Sequence, residues 1–220
     1  MWNRARLLAE LFNGNRNALK SAPIIDLSRR EITSIDSQTF AELDSLGEVN
    51  LSYNNITDIP RYLFSNLVNL LGIDLSRNRI KYIAAYSFHN LQNLRSLNLF
   101  NNHLTSIQLN TFYNLSNLYL LSISSNKLIS IEPDTFKMMP CLKFLWLDNN
   151  QVTSIHKNYF SDINYLQNID LSDNRLTRID PNTFSKLNNI ELVEIDLVNN
   201  PILNKTQAIC GSNKKCVIYF

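Results

Sequence analysis

Phenylalanine recurs at positions 40, 64, 88, 112, 136, 160 and 184, a constant step of 24 residues. In register with it runs L-x-x-L-x-L-x-x-N-x-L. The clearest copies are Leu70-Ile73-Leu75-Asn78-Ile80, Leu94-Leu97-Leu99-Asn102-Leu104 and Leu166-Ile169-Leu171-Asn174-Leu176. An isoleucine follows three residues on, then the phenylalanine, then an apolar residue such as Leu91 or Leu115.

In L-x-L the apolar side chains alternate, which predicts a short strand with one buried face in every copy. A unit of this size cannot bury that face alone, so neighbouring copies must stack into one continuous core. Each chain turn returns to its start through the same crossover, so successive strands run parallel. About eight strands follow, spanning roughly 35–40 Å at strand spacing. Isoleucines 35, 59, 83, 107, 131, 155 and 179 fill the far side of the core beside the phenylalanines. Asparagines 54, 78, 102, 126, 150, 174 and 200 mark where each strand turns away. Their amides carry both donors and an acceptor, enough to satisfy turn backbone from one copy to the next. Arg30 replaces the asparagine in the first copy, so irregularity is expected there. Asn174 to Asn200 is 26 residues, which places a two-residue bulge in LNNIEL (187–192).

With this repeat the chain resembles the leucine-rich repeat proteins over about residues 22–202. The phenylalanine spine is similar to the subtype of extracellular members such as Toll-like receptors, Slit proteins and small proteoglycans. IEPDTF (131–136) and IDPNTF (179–184) strengthen that likeness. The resemblance implies an α/β solenoid, a horseshoe with a parallel concave β-sheet and an irregular or 3-10 convex side. It also implies a receptor-like or secreted module that binds a protein or peptide partner without catalysis, in settings such as innate immunity or adhesion. Two departures leave the compartment open. No cysteine cluster precedes the first repeat, and the usual cysteine-rich flank after Asn200-Pro201 is reduced to Cys210 and Cys216 at most. Intracellular and microbial members share the repeat, so an adaptor or effector is the alternative, and a structural spacer with contacts at its caps or convex face is another.

The N-terminal stretch, residues 1–21, is expected to form a helical cap, and residues 203–220 a C-terminal cap or tail. Arg4, Arg6 and Glu10 interrupt any apolar run of secretory-signal length. Trp2, Ala5, Leu8 and Phe12 share one helical stripe, which suits the end of a core, with a membrane-surface helix as the alternative. The repeat subtype favours an extracellular or cell-surface location; a native start at Met1 favours the cytoplasm.

The residue between the two buried positions of L-x-L faces the open, concave side. That column reads Asp26, Asn50, Asp74, Asn98, Ser122, Trp146, Asp170 and Asp196. Two residues earlier it reads Ile24, Glu48, Gly72, Ser96, Leu120, Phe144, Asn168 and Glu194. Trp146, Phe144 and Leu120 therefore cluster amid polar sister positions, with Phe100 near their margin. Aromatic anchors ringed by polar groups are how interfaces concentrate binding energy. Asp74, Asp148 and Asp170 belong to an acidic surround that suits a partner with an apolar centre and a basic rim. Part of that acidity is repeat composition, as in the IDLS segments. The same patch suits a homodimer.

Composition removes several function classes. Net charge is +2, and the concave columns are acidic, so no nucleic-acid partner is expected. Four scattered glycines make no phosphate cradle, and His89, His103 and His156 show no metal or catalytic spacing. No enzyme activity and no cofactor are expected, and no apolar run is long enough to span a bilayer. Of three cysteines, Cys210 and Cys216 form a candidate disulfide, with two unpaired thiols as the alternative. Asn50, Asn55, Asn114 and Asn204 open glycosylation acceptor triplets, which an asparagine-rich chain generates by composition alone.

Overall fold

The computed structural model describes residues 1–108, 110–156, 159–160, 162–163, 165–180, 182–184, 187, 192–203 and 215–220. Its strands are β1 (Ile24–Asp26), β2 (Glu48–Asn50), β3 (Asp58–Ile59), β4 (Gly72–Asp74), β5 (Tyr82–Ile83), β6 (Ser96–Asn98), β7 (Leu120–Ser122), β8 (Phe144–Trp146), β9 (Asn168–Asp170), β10 (Leu192–Asp196) and β11 (Lys215–Tyr219). Nine of them form one sheet in the order β1-β2-β4-β6-β7-β8-β9-β10-β11, while β3 and β5 pair on their own. Every pairing is parallel, and the buried residues stay in line: Val49, Ile73, Leu97, Leu121, Leu145 and Ile169 sit opposite one another in turn. A slip of one residue would turn this whole row to solvent, so the buried face holds the register.

Behind the sheet the phenylalanine rings stack from turn to turn. Phe40 and Phe64 are 5.6 Å apart between centroids, Phe64 and Phe88 5.7 Å, and Phe160 and Phe184 5.5 Å, all nearly coplanar. The outer side is irregular, made of single i→i+3 turns such as the Thr39 N–H to the Asp36 carbonyl at 3.0 Å.

The asparagine column closes the backbone account at each strand exit. Asn78 Nδ2 donates to the carbonyls of Leu75 in its own turn, at 3.0 Å, and Leu51 in the preceding one, at 2.9 Å. Its Oδ1 accepts the N–H of Ile56 at 3.0 Å. Asn54, Asn102, Asn126, Asn150, Asn174 and Asn200 repeat the arrangement. Each buried amide thus joins adjacent turns with no orphaned donor.

At the N-terminal end Trp2 bridges Ile35, its N–H donating to Ser34 O at 2.8 Å and its carbonyl accepting from Asp36 N at 2.7 Å. The indole, 2% exposed, extends the isoleucine column by one step. Helix α1 (Arg4–Phe12) follows, started by Asn3 accepting from Arg6 N, and α2 (Arg16–Ser21) is started by Asn15. The buried helical residues are Leu7 and Leu19. This differs from the expected stripe: Trp2 precedes the helix and Ala5 is exposed, while Leu8, Leu11 and Phe12 pack against the core from its flank. Trp2 is held by strand pairing rather than helix phase, which turns the helix onto Leu7. Arg30, which has no acceptor to bridge the turns as the asparagines do, points its guanidinium to Glu10, 3.4 Å away.

One strand more than the expected eight arises from β11, which carries no repeat motif. Cys216 and Ile218 of β11 lie opposite the buried Val193 and Ile195, and this alternation suffices to add a parallel strand. Cys216 is disulfide-bonded and Cys141 is free; Cys210 lies outside the described residues, as do Asn204 and residues 188–191 of the expected bulge. No helix among the described residues is long and apolar enough to cross a membrane.

Candidate functional site

Strand pairing sets the concave geometry. Leu120, Phe144, Asn168, Glu194 and Val217 form one row across β7 to β11, and Ser122, Trp146, Asp170, Asp196 and Tyr219 form the next. Leu120, Phe144 and Trp146 are half-buried and adjacent. Tyr119, 42% exposed, adds a fourth apolar member: its ring lies 5.2 Å from that of Phe144 and carries the Lys143 ammonium 5.3 Å above it. Tyr119 escapes a period-two reading because it immediately precedes β7, outside the alternating columns.

Six of the seven polar sister residues of Trp146 have a local task. Asp26, Asn50, Asp74, Asn98, Asp170 and Asp196 each use Oδ1 to accept the backbone N–H two residues on, at 2.8–3.0 Å. These Asx turns guide the chain out of the strand. Trp146 cannot accept, so its turn forgoes that bond. Its indole N–H instead donates to Asn168 Oδ1 at 3.2 Å, and Asn168 Nδ2 reaches Glu194 Oε2 at 3.4 Å. The half-buried indole is thereby held by neighbouring polar groups on the open face.

The expected site residues differ in their engagement. Asp74 and Asp170 are turn-capping carboxylates, and Asp170 also accepts the Ser172 hydroxyl at 2.7 Å. Asp148 accepts the hydroxyl of Ser124 on the neighbouring turn. Burial pushes the Asp148 carboxyl above its ordinary value and repulsion from Asp170 and Asp173 adds to this, while the Ser124 bond opposes both. Phe100 meets Arg77, whose guanidinium lies 5.3 Å from its ring centre. Around the acceptor triplets, Asn50 Oδ1 holds the buried Ser52 hydroxyl at 2.8 Å, Asn55 is half-buried, and Asn114 is half-buried with φ 62°.

A second aromatic group lies on the outer side. Tyr62 and Tyr86 stack at 6.4 Å, and His89 lies 5.8 Å from Tyr86 and 6.1 Å from Tyr113. Half-buried among these rings and placed after a core phenylalanine, His89 is a packing residue.

Two family models match the sequence: a BspA type leucine rich repeat region, in six copies over residues 15–143, and a leucine rich repeat over residues 145–202. Neither describes an enzyme. No curated protein matches. Among solved structures, a TLR13–ssRNA13 complex is similar at 28% identity and a TM-score of 0.74, over 81% of this chain and 25% of that one. The Drosophila Toll–Spätzle complex is similar in fold at 23% identity and a TM-score of 0.65, over 80% of this chain and 27% of that one. The chain thus spans about a quarter of the length of these neighbours.

Proposed function

Because the chain belongs to the leucine-rich repeat family, we propose that it is a non-catalytic, receptor-like recognition module whose concave face binds a protein partner around Leu120, Phe144 and Trp146. One observation carries the reading: Trp146 gives up a turn-capping bond that six of its seven sister positions keep, and places an indole on the open face instead. Local folding gains from that exchange a single side-chain bond, to Asn168, in place of a turn cap. Tyr119 widens the apolar centre, and Asp148, Asp170, Glu194 and Asp196 supply an acidic surround for basic groups on the partner. TLR13 is recorded with ssRNA, but carboxylates on this face repel a phosphate backbone, which favours protein here.

The test is affinity capture with the wild-type chain and a folded Phe144→Ser/Trp146→Ser variant, with size-exclusion profiles of both. A specific protein partner lost with the variant supports the reading. A wild-type dimer lost with the variant assigns the patch to self-association, and an unchanged set of partners moves binding to the caps or the convex side.

A further inference from the structure

The near-neutral total charge conceals a separation of charge between two surfaces. Beyond each strand exit, alternate residues point outward while the asparagine and the next apolar residue are buried. On the first five turns these outward positions are 29, 31 and 33, then 53, 55 and 57, then 77, 79 and 81, then 101, 103 and 105, and last 125, 127 and 129. They carry Arg29, Arg77, Arg79, Lys81 and Lys127, all exposed, with the half-exposed His103; Glu31 is their one carboxylate.

Arg79, His103 and Lys127 follow one another on consecutive turns, at a spacing of about 4.8 Å set by the strands. Like charges in a row repel, yet none of these five cations forms an ion pair among the described residues. Burial first, and then the charges of Lys127, Lys81 and Arg79, lower the proton affinity of His103, an independent sign that the cations share one field.

Aromatic rings are interleaved with the cations. The Arg29 guanidinium lies 4.0 Å from the centre of the Tyr53 ring, and that of Arg77 lies 5.0 Å from Tyr53 and 5.3 Å from Phe100. Arg29, Tyr53 and Arg77 all adopt left-handed backbone, with φ 56°, 56° and 54°, which sets them in one line along the rim. Stacking fixes each guanidinium plane and leaves its N–H edges free for oxyanions.

We propose that this flank binds single-stranded nucleic acid, its cations contacting successive phosphates while bases take the places of the guanidiniums against Tyr53 and Phe100. A row of cations at regular intervals matches a linear polyanion with evenly repeated charge better than the scattered carboxylates of a folded protein. Interleaved rings are surplus to a purely charged ligand but are what unpaired bases use. The flank meets the concave patch only at Phe100 on its margin, and neither reading depends on the other.

Fluorescence anisotropy with a labelled mixed-sequence oligonucleotide of about 16 nucleotides tests this. Binding through four phosphates gives a slope of log affinity against log salt of about −3. Arg79→Glu/Lys127→Glu weakens binding by roughly tenfold or more and makes the slope shallower by about 1.4. Tyr53→Ala weakens it several-fold with the slope unchanged. The Phe144→Ser/Trp146→Ser variant binds the oligonucleotide as wild type does. Thermal melts accompany every variant, and Lys81→Ala/Lys127→Ala replaces the charge reversal if that one does not fold. Absence of binding at low salt overturns the proposal. So does equal binding of a polyglutamate peptide or a duplex together with indifference to Tyr53→Ala, which assigns the flank to acidic proteins or to polyanions at large.

Discussion

The indole N–H of Trp146 donates to Asn168 Oδ1 across the β8–β9 pair, at 3.2 Å. That bond orients the ring without making it part of the core. Trp146→Asn restores the residue type that caps the other strand exits, so thermal unfolding is expected to stay within about 1 kcal/mol of wild type or to rise. Affinity for a concave-face partner falls by about 2 kcal/mol or more. Calorimetric melting and titration of the captured partner check the two halves. A large loss of stability would make Trp146 a structural residue and remove the basis of the proposed site.

Asn102 gives a test of the ladder between turns. Its Nδ2 donates to Leu75 O at 3.0 Å and Leu99 O at 3.1 Å, and its Oδ1 accepts Ile80 N–H at 3.0 Å. Asn102→Ala leaves the buried Ile80 N–H without a partner and takes one of two donors from Leu75 O and Leu99 O, which keep Asn78 and Asn126, and it is expected to cost about 1–3 kcal/mol in denaturant unfolding. The isosteric Asn102→Asp keeps the acceptor and loses both donors, so it destabilises as well. Wild-type stability for the aspartate variant would contradict the donor role.

The core was legible because it is periodic: Phe64, Leu97 and Asn78 each recur where stacking demands one side chain and no other. What was hidden depends on neighbours that one period does not specify. Asp74 reads as an acidic surface residue until its Oδ1 is seen to cap Ser76 N–H. Tyr119 lies outside the strand alternation, and Leu7 replaces Ala5 on the buried helix face because Trp2 is pinned by Ile35. Val217 and Tyr219 extend the concave rows from a segment with no repeat motif. The row of Arg79, His103 and Lys127 disappears into a net charge of +2 once the concave carboxylates are summed with it. Whether the Trp146 patch and the flank bind partners is decided by chemistry outside the chain.

Asp148 links stability to pH. Its carboxyl titrates above the ordinary 3.8 in the folded chain, with burial as the leading cause. The folded state therefore holds this proton more tightly than the unfolded state, and the stability it lends is full below pH 3.8 and lost as pH rises through the folded value. Asp148→Asn keeps an acceptor for Ser124 and removes the charge. It is expected to raise the unfolding midpoint at pH 7 and to leave it nearly unchanged at pH 3, measured by urea titration at both. A variant less stable than wild type at pH 7 would show that the extra strength of the Ser124 bond to a charged carboxylate outweighs the cost of burying it.

Trp2 closes one end of the core. Trp2→Ala removes the outermost member of the isoleucine column and is expected to cost about 3–5 kcal/mol. Amide exchange should quicken first in β1 and β2 and last in β8 and β9, since stacked turns communicate through their neighbours. Uniform loss of protection would mean the solenoid melts as one unit.

The asparagine ladder has a mechanical consequence. Asn78 grips the turn before it and its own, and Asn102 does the same one step later. Tension on the two ends of the chain is therefore borne in series, one rung at a time. Each rung that opens frees 24 residues, or about 80 Å of slack. The solenoid is a fuse of nearly identical links, whose extension under load comes in equal increments set by the repeat.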